Sequence, residues 1–128
     1  MKAIYKNGLL WQDYQHSQLL ACISSLNKTR DTESELTELK KTVTFLEFYT
    51  KTHFEIEAHY MEVLAYPDTD RHKKAHEDFE HMVAGFKAEL NSAKDSSTLI
   101  TDLCGWIKDH ILKSDKKLAA FIKNQAKY

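Results

Sequence analysis

The sequence predicts an all-α protein, an up-down-up-down bundle of four helices forming a single domain over residues 1–128. Apolar residues recur at three- and four-residue spacing along four stretches, which is the helical period. The stretches are joined by short polar breaks, and short breaks make successive long helices antiparallel neighbours. Three Gly and one Pro in 128 residues leave little turn-forming material for an all-β fold. A chain of this length suits one domain with one sizeable core.

Leu19, Leu20, Ile23 and Leu26 follow His16 at helical spacing and mark a first helix over about residues 12–29, ending in the polar run Asn27 to Asp31. Thr32 and Glu35 then stand at capping-box spacing, where hydroxyl and carboxylate each satisfy a free backbone N–H, and they open a second helix running to about Ala65. Tyr66-Pro67 stops it, because proline has no N–H to continue the ladder. Asp68, Thr69 and Asp70 offer N-caps for a third helix, carried by Phe79, Val83 and Phe86 and fading in the polar stretch Asn91 to Ser97. Ser96 or Ser97 restarts the chain. The fourth helix begins near Thr98 with Leu99, Leu103, Trp106 and Ile107 on one stripe, continued by Leu118, Phe121 and Ile122. Gly105 is its weak point.

Composition narrows the function classes. The chain is 42% hydrophobic and 29% charged with a formal net charge of −1, and its Lys and Arg are scattered among Asp and Glu. No basic stripe suits a phosphate backbone, so nucleic acid is not an expected partner. Met1 to Gln12 holds only short apolar runs such as Leu9-Leu10, far below a signal-peptide core or a membrane span. The expectation is a soluble, cytoplasmic monomer with no membrane span. Cys22 and Cys104 form neither a disulfide framework nor a zinc motif, and both are expected as buried thiols.

Seven histidines are many for this length, and their spacing carries chemistry. Residues four apart on an α-helix differ by only ~40° around its axis, so their side chains converge on one point. His53 and Glu57 form such a pair on the second helix and His72 and His76 on the third, while His16 and His110 mark the first and fourth. Asp115 lies five residues after His110, ~140° away on a regular helix. A π-type turn near Leu112 to Ser114 rotates it back and is expected there.

A thiolate-free set of five imidazoles and two carboxylates inside a bundle points to non-haem iron. If both carboxylates and an oxo or hydroxo group bridge two six-coordinate ions, the donors fill all but one position. That position suits one small molecule bound end-on, and with iron the candidate is dioxygen. Any one of these histidines alone reads as ordinary core. Burying all seven polar groups together without a metal is costly. His59 and His81 fall outside the pattern as surface residues, and Glu47, Glu55, Glu62 and Asp109 fit solvated faces. Leu19, Phe54, Met61 and Trp106 read as core that also walls the site against water.

Asp13-x-Gln15-His16, His53-Phe54-x-x-Glu57 with Met61, Tyr66-Pro67, His72-x-x-x-His76 and Trp106-Ile107-x-x-His110-x-x-x-x-Asp115 together resemble the hemerythrin family, over residues 11–118. The specificity lies in order and spacing together. The resemblance implies that His72, His76 and His110 hold one iron, His16 and His53 the other, and Glu57 and Asp115 bridge them. It also places the open position on the two-histidine iron and turns Ile107, where the family carries Leu, toward the oxygen pocket. The stretch before His16 is shorter than the family's usual one. The implied function is reversible dioxygen binding for storage, transport or delivery to an oxygen-using enzyme, with no catalytic step. Alternatives are a diiron oxidase or peroxidase, and a sensor of oxygen, nitric oxide or iron. The histidine-rich set argues against the oxidase, since oxygen-activating bundles use Glu and Glu-x-x-His motifs.

Overall fold

Each long helix turns one stripe inward, and the stripes account for the bundle. The computed structural model describes residues 3–90 and 96–125. A short 3-10 turn, Ala3–Tyr5, precedes α1 (Leu10–Lys28), α2 (Glu35–Val63), α3 (Thr69–Glu89) and α4 (Ser96–His110). A π turn, Ile111–Asp115, joins α4 to α5 (Lys116–Gln125), and these three segments run on as the fourth member of the bundle. There is no strand among the described residues, and no helix among them is long and apolar enough to cross a membrane.

The inward residues follow the three–four rhythm: Gln12, His16, Leu19, Ile23 and Leu26 on α1, and Leu39, Val43, Leu46, Thr50, His53, Glu57 and Met61 on α2. On α3 they are His72, His76, Phe79, Val83 and Phe86. The apolar positions divide into two clusters. The larger holds Leu26, Leu39, Leu46, Phe79, Leu103 and Ile111, and the smaller holds Met61, Tyr66, Leu118 and Ile122. On α2 Glu57 lies between Phe54 of the larger cluster and Met61 of the smaller, and on the fourth member Asp115 lies between Ile111 and Leu118, so the polar layer sits where the two clusters meet.

The helix ends differ from the sequence reading in instructive ways. α1 starts two residues early, at Leu10, and α2 starts late, at Glu35. Thr32 does not cap α2. Its hydroxyl donates to the Thr29 carbonyl at 2.6 Å and accepts from the Ser34 N–H at 3.2 Å, closing a separate turn in which Asp31 takes a φ of 61°. The Glu35 carboxylate still reaches back, accepting from the Asp31 N–H at 2.9 Å. α2 closes with two reverse bonds, Tyr66 N–H to Met61 O at 2.9 Å and Ala65 N–H to Glu62 O at 3.3 Å, around Ala65 at a φ of 52°. Pro67 therefore follows a stop already made. α3 begins next to Asp68, whose side chain pairs with Lys117 and makes no cap bond. The restart at Ser96 agrees with the sequence reading, while most of the polar stretch before it, residues 91–95, lies outside the described residues.

Cys104 is buried, but Cys22 is only half-buried, with its Sγ 3.9 Å from Thr42 Oγ1; burial pushes both thiols up in pKa. His59, His81, Glu55 and Glu62 are exposed. Glu47 and Asp109, also exposed, pair with Lys87 at 3.3 Å and Lys113 at 3.0 Å.

Gly105 does not interrupt α4. It is exposed, and a Cβ there meets nothing within 4 Å, so Gly105→Ala is expected to stabilise the fold by about 1 kcal/mol, read as a shift in the denaturant midpoint. A loss of stability on that substitution contradicts this reading.

Candidate metal centre

Four helices deliver seven polar side chains to one layer: His16 from α1, His53 and Glu57 from α2, His72 and His76 from α3, and His110 with Asp115 from the fourth member. Each is no more than 7% exposed. The π turn makes the last pair possible. Its extra residue turns Asp115 back toward His110, whose Nε2 lies 2.9 Å from Asp115 Oδ1.

The two carboxylates split the layer into halves. Glu57 Oε1 lies 3.0 Å from His72 Nε2 and 3.1 Å from His76 Nε2, and Asp115 Oδ1 lies 3.2 Å from His72 Nε2. The opposite oxygens face the other two histidines: Asp115 Oδ2 is 2.8 Å from His16 Nε2, and Glu57 Oε2 is 3.6 Å from His53 Nε2. Two sets of converging donor atoms result. One is Glu57, His72, His76, His110 and Asp115; the other is His16, His53, Glu57 and Asp115. Neighbouring donors on an octahedral ion with bonds of ~2.1 Å stand about 3 Å apart, which is the spacing found here.

Unsatisfied atoms test whether cations fit. Among the described residues, His76 Nε2, His110 Nε2 and Asp115 Oδ1 are buried with no hydrogen-bond partner, although each has an oppositely polar atom close by. Buried polar atoms are ordinarily paired, so a cation between them is the missing partner.

The sequence model described as the hemerythrin HHE cation binding domain matches residues 8–122. The chain belongs to the hemerythrin family. A bacteriohemerythrin from Stenotrophomonas maltophilia (strain R551-3) is 28% identical over 126 residues, spanning 90% of this chain and 82% of that protein.

Around these hemerythrin-type donors a second layer holds the rings. Gln15 Oε1 lies 2.5 Å from His53 Nδ1, which leaves Nε2 of that ring to face inward. The Tyr49 hydroxyl sits 2.8 Å from the Gln15 carbonyl and 2.7 Å from Gln18 Oε1. Phe54 stacks on His76 with ring centres 3.7 Å apart, and Trp106 stacks on His110 at 4.6 Å, itself backed by Phe79 at 4.3 Å. His16 Nδ1 has no such partner.

A cavity of about 10 Å³ adjoins the layer, close to the least space that holds one water. Leu19, Phe54, Trp106 and Ile107 line it together with His53, His110 and Asp115. Met61 does not. It is fully buried in the smaller apolar cluster, on the far side of the ligand layer. Thr50, Phe79 and Ile111 complete the lining and were not singled out from the sequence, although Thr50 and Phe79 stand three residues from His53 and His76 on the same helical faces. Thr50 also floors a surface groove with Glu47, Lys51, Glu80, Val83, Ala84 and Lys87.

Charge in the layer is tightly balanced. Burial and the neighbouring Asp115 push the Glu57 carboxyl up, but His53, His72 and His76 outweigh them and bring it down to about 2. Burial raises Asp115 too, and His110, His16 and His53 hold it well below the usual carboxylate range. Burial alone lowers His72, yet the adjacent Asp115 and Glu57 carboxylates lift it to about 9, and Glu57 and Asp115 lift His53 in the same way. Burial keeps His76 low. In the metal-free protein the two carboxylates thus favour a proton on His72 and pull His53 in the same direction.

A metal ion must displace those protons, because imidazole coordinates only when neutral. Loading the metal-free protein at pH 7–8 is therefore expected to release about one proton or more per chain, and affinity is expected to fall as pH drops below about 9. Calorimetric titrations in buffers of different ionisation enthalpy measure the release, and uptake with no proton release contradicts the assignment.

Proposed function

We propose that this chain binds dioxygen reversibly at two non-haem irons, held by His72, His76 and His110 on one side and His16 and His53 on the other. Glu57 and Asp115 would be shared between the two ions, together with an oxo or hydroxo group. The observation that carries the proposal is the inequality of the two donor sets: they share both carboxylates, yet one has five members and the other four. On equal six-coordinate ions the smaller set leaves a position free, and the cavity beside the layer is lined by His53 of that set, by Asp115, which both sets share, and by His110 of the larger one. Iron held there in its reduced form would supply the electrons that bind dioxygen.

The protein's own residues supply the rest. Leu19, Phe54, Ile107 and Trp106 keep water and protons away from the cavity, which slows oxidation of the reduced site. Ile107, β-branched and stiff, shapes that wall one turn before His110. Glu57 and Asp115, both anionic, offset charge in a layer that water does not reach. All seven donors come from one chain, so the site is complete in a monomer.

A carrier is favoured over an oxidase or peroxidase by the cavity. Its size, close to that of a single water, leaves no space for an organic substrate. Apart from the metal-layer residues its lining is apolar except for Thr50, whose hydroxyl donates to the Leu46 carbonyl at 2.5 Å. Storage, transport and delivery to an oxygen-using enzyme all fit such a site.

Titrating the anaerobic ferrous protein with oxygen and then purging with inert gas tests the proposal. Visible colour is expected at about one oxygen per two irons, fading on purging. Irreversible conversion to the ferric form points to a redox enzyme or sensor instead. Glu57→Ala and Asp115→Ala are each expected to lower iron content from about two per chain to one or fewer by elemental analysis, and a full complement in both variants refutes their bridging role.

A further inference from the structure

Gln12 is fully buried on α1, one turn before His16, at a position whose helical register belongs to the core. Its Nε2 donates to Glu57 Oε2 at 2.9 Å and lies 3.4 Å from the Asp115 carbonyl, while its Oε1 accepts from Asn7 Nδ2 at 2.8 Å. With acceptors on one side and an amide donor on the other, only one orientation of the Gln12 amide satisfies both. Asn7 is itself clamped. Its N–H donates to Asp13 Oδ1 at 2.7 Å, and Lys123 Nζ donates to its carbonyl at 2.7 Å, tying the N-terminal arm to α5. The arm turns there at Gly8, with a φ of 87°, where a Cβ would stand 2.8 Å from Lys123 Nζ.

The contact is one-sided. Gln12 touches the Glu57 oxygen that faces His53, whereas Oε1 faces His72 and His76. Among the described contacts, Glu57 Oε1 and both carboxylate oxygens of Asp115 meet only imidazole. We propose that Gln12 is a positioning residue that weakens the donation of Glu57 to the iron on the His16–His53 side and so raises that iron's reduction potential. This rests on the diiron reading above. An N–H given to a carboxylate oxygen stabilises the negative charge on that oxygen, so less is shared with the ion, and the lower-valent state is favoured. The half with the free position is thereby biased toward the reduced state that dioxygen requires, and the arm, through Asn7, holds the donor in place.

The test uses the iron-loaded full chain, with Gln12→Met, which keeps the length of the side chain, and Gln12→Leu, followed by spectroelectrochemical titration. Both are expected to keep wild-type iron content. At a fixed potential the oxidised-to-reduced ratio of one of the two irons is expected to rise about tenfold, a fall of about 59 mV for a one-electron couple, with faster autoxidation. Asp13→Ala removes one clamp on Asn7 but leaves the Gln12 amide itself in the chain; it serves as the structural control, expected to lower the unfolding temperature and to shift the potential by much less than either Gln12 variant. Wild-type potentials in both Gln12 variants at full iron content overturn the proposal, as does an equal shift in Asp13→Ala. If the wild-type chain takes up no iron, the diiron reading falls and this one with it, a result separate from an unchanged potential in a loaded protein.

Discussion

Two carboxylates with almost no exposure to water set the terms for this molecule. Glu57 is fully buried and Asp115 1% exposed. Removing such charges from water costs several kcal/mol each unless positive charge and hydrogen bonds surround them, so the bundle can close only over a layer that supplies both. The five imidazoles are that layer. In the metal-free state the carboxylates favour a proton on His72 and raise His53 toward the charged form; with cations bound, the same nitrogens would serve as donors. One carboxylate pair therefore ties helix register, protonation and metal uptake together.

That demand explains features that are odd in isolation. The fourth helix carries an extra residue because a regular helix cannot bring His110 and Asp115 to one face at five-residue spacing. Phe54 and Trp106 lie flat on His76 and His110, since a ring that must present one nitrogen needs its plane fixed. The apolar residues are divided into two clusters because the polar layer crosses the bundle between them. A sequence optimised for stability alone fills that layer with Leu and Ile, so the buried polar groups are a cost accepted for function.

Much of this was legible in the residues, and the misses have physical causes. The i,i+4 pairs and the five-residue gap specify both the helical faces and the π turn, because helix geometry links spacing to direction. The start of α2 was misplaced because Thr32 has a competing local turn with Thr29, a choice that a Thr-x-x-Glu pattern does not reveal. Met61 shares the face of Glu57, but the cavity lies toward Thr50, eleven residues away and ~16 Å back along the axis at the rise of a helix. Gln12 was invisible for a different reason. Its partners are 45 and 103 residues distant in sequence, and a single amide on a core face forms no pattern until the fold supplies the acceptors.

The central claim is that Glu57 and Asp115 each span two metal ions. Crystals of the iron-loaded chain, with diffraction recorded on both sides of the iron absorption edge, test it most directly. Two anomalous peaks about 3.5 Å apart are expected, with one oxygen of each carboxylate on either side and the smaller donor set facing the Leu19–Phe54–Ile107 cavity. A single peak, or two peaks with either carboxylate bound to only one of them, contradicts the account.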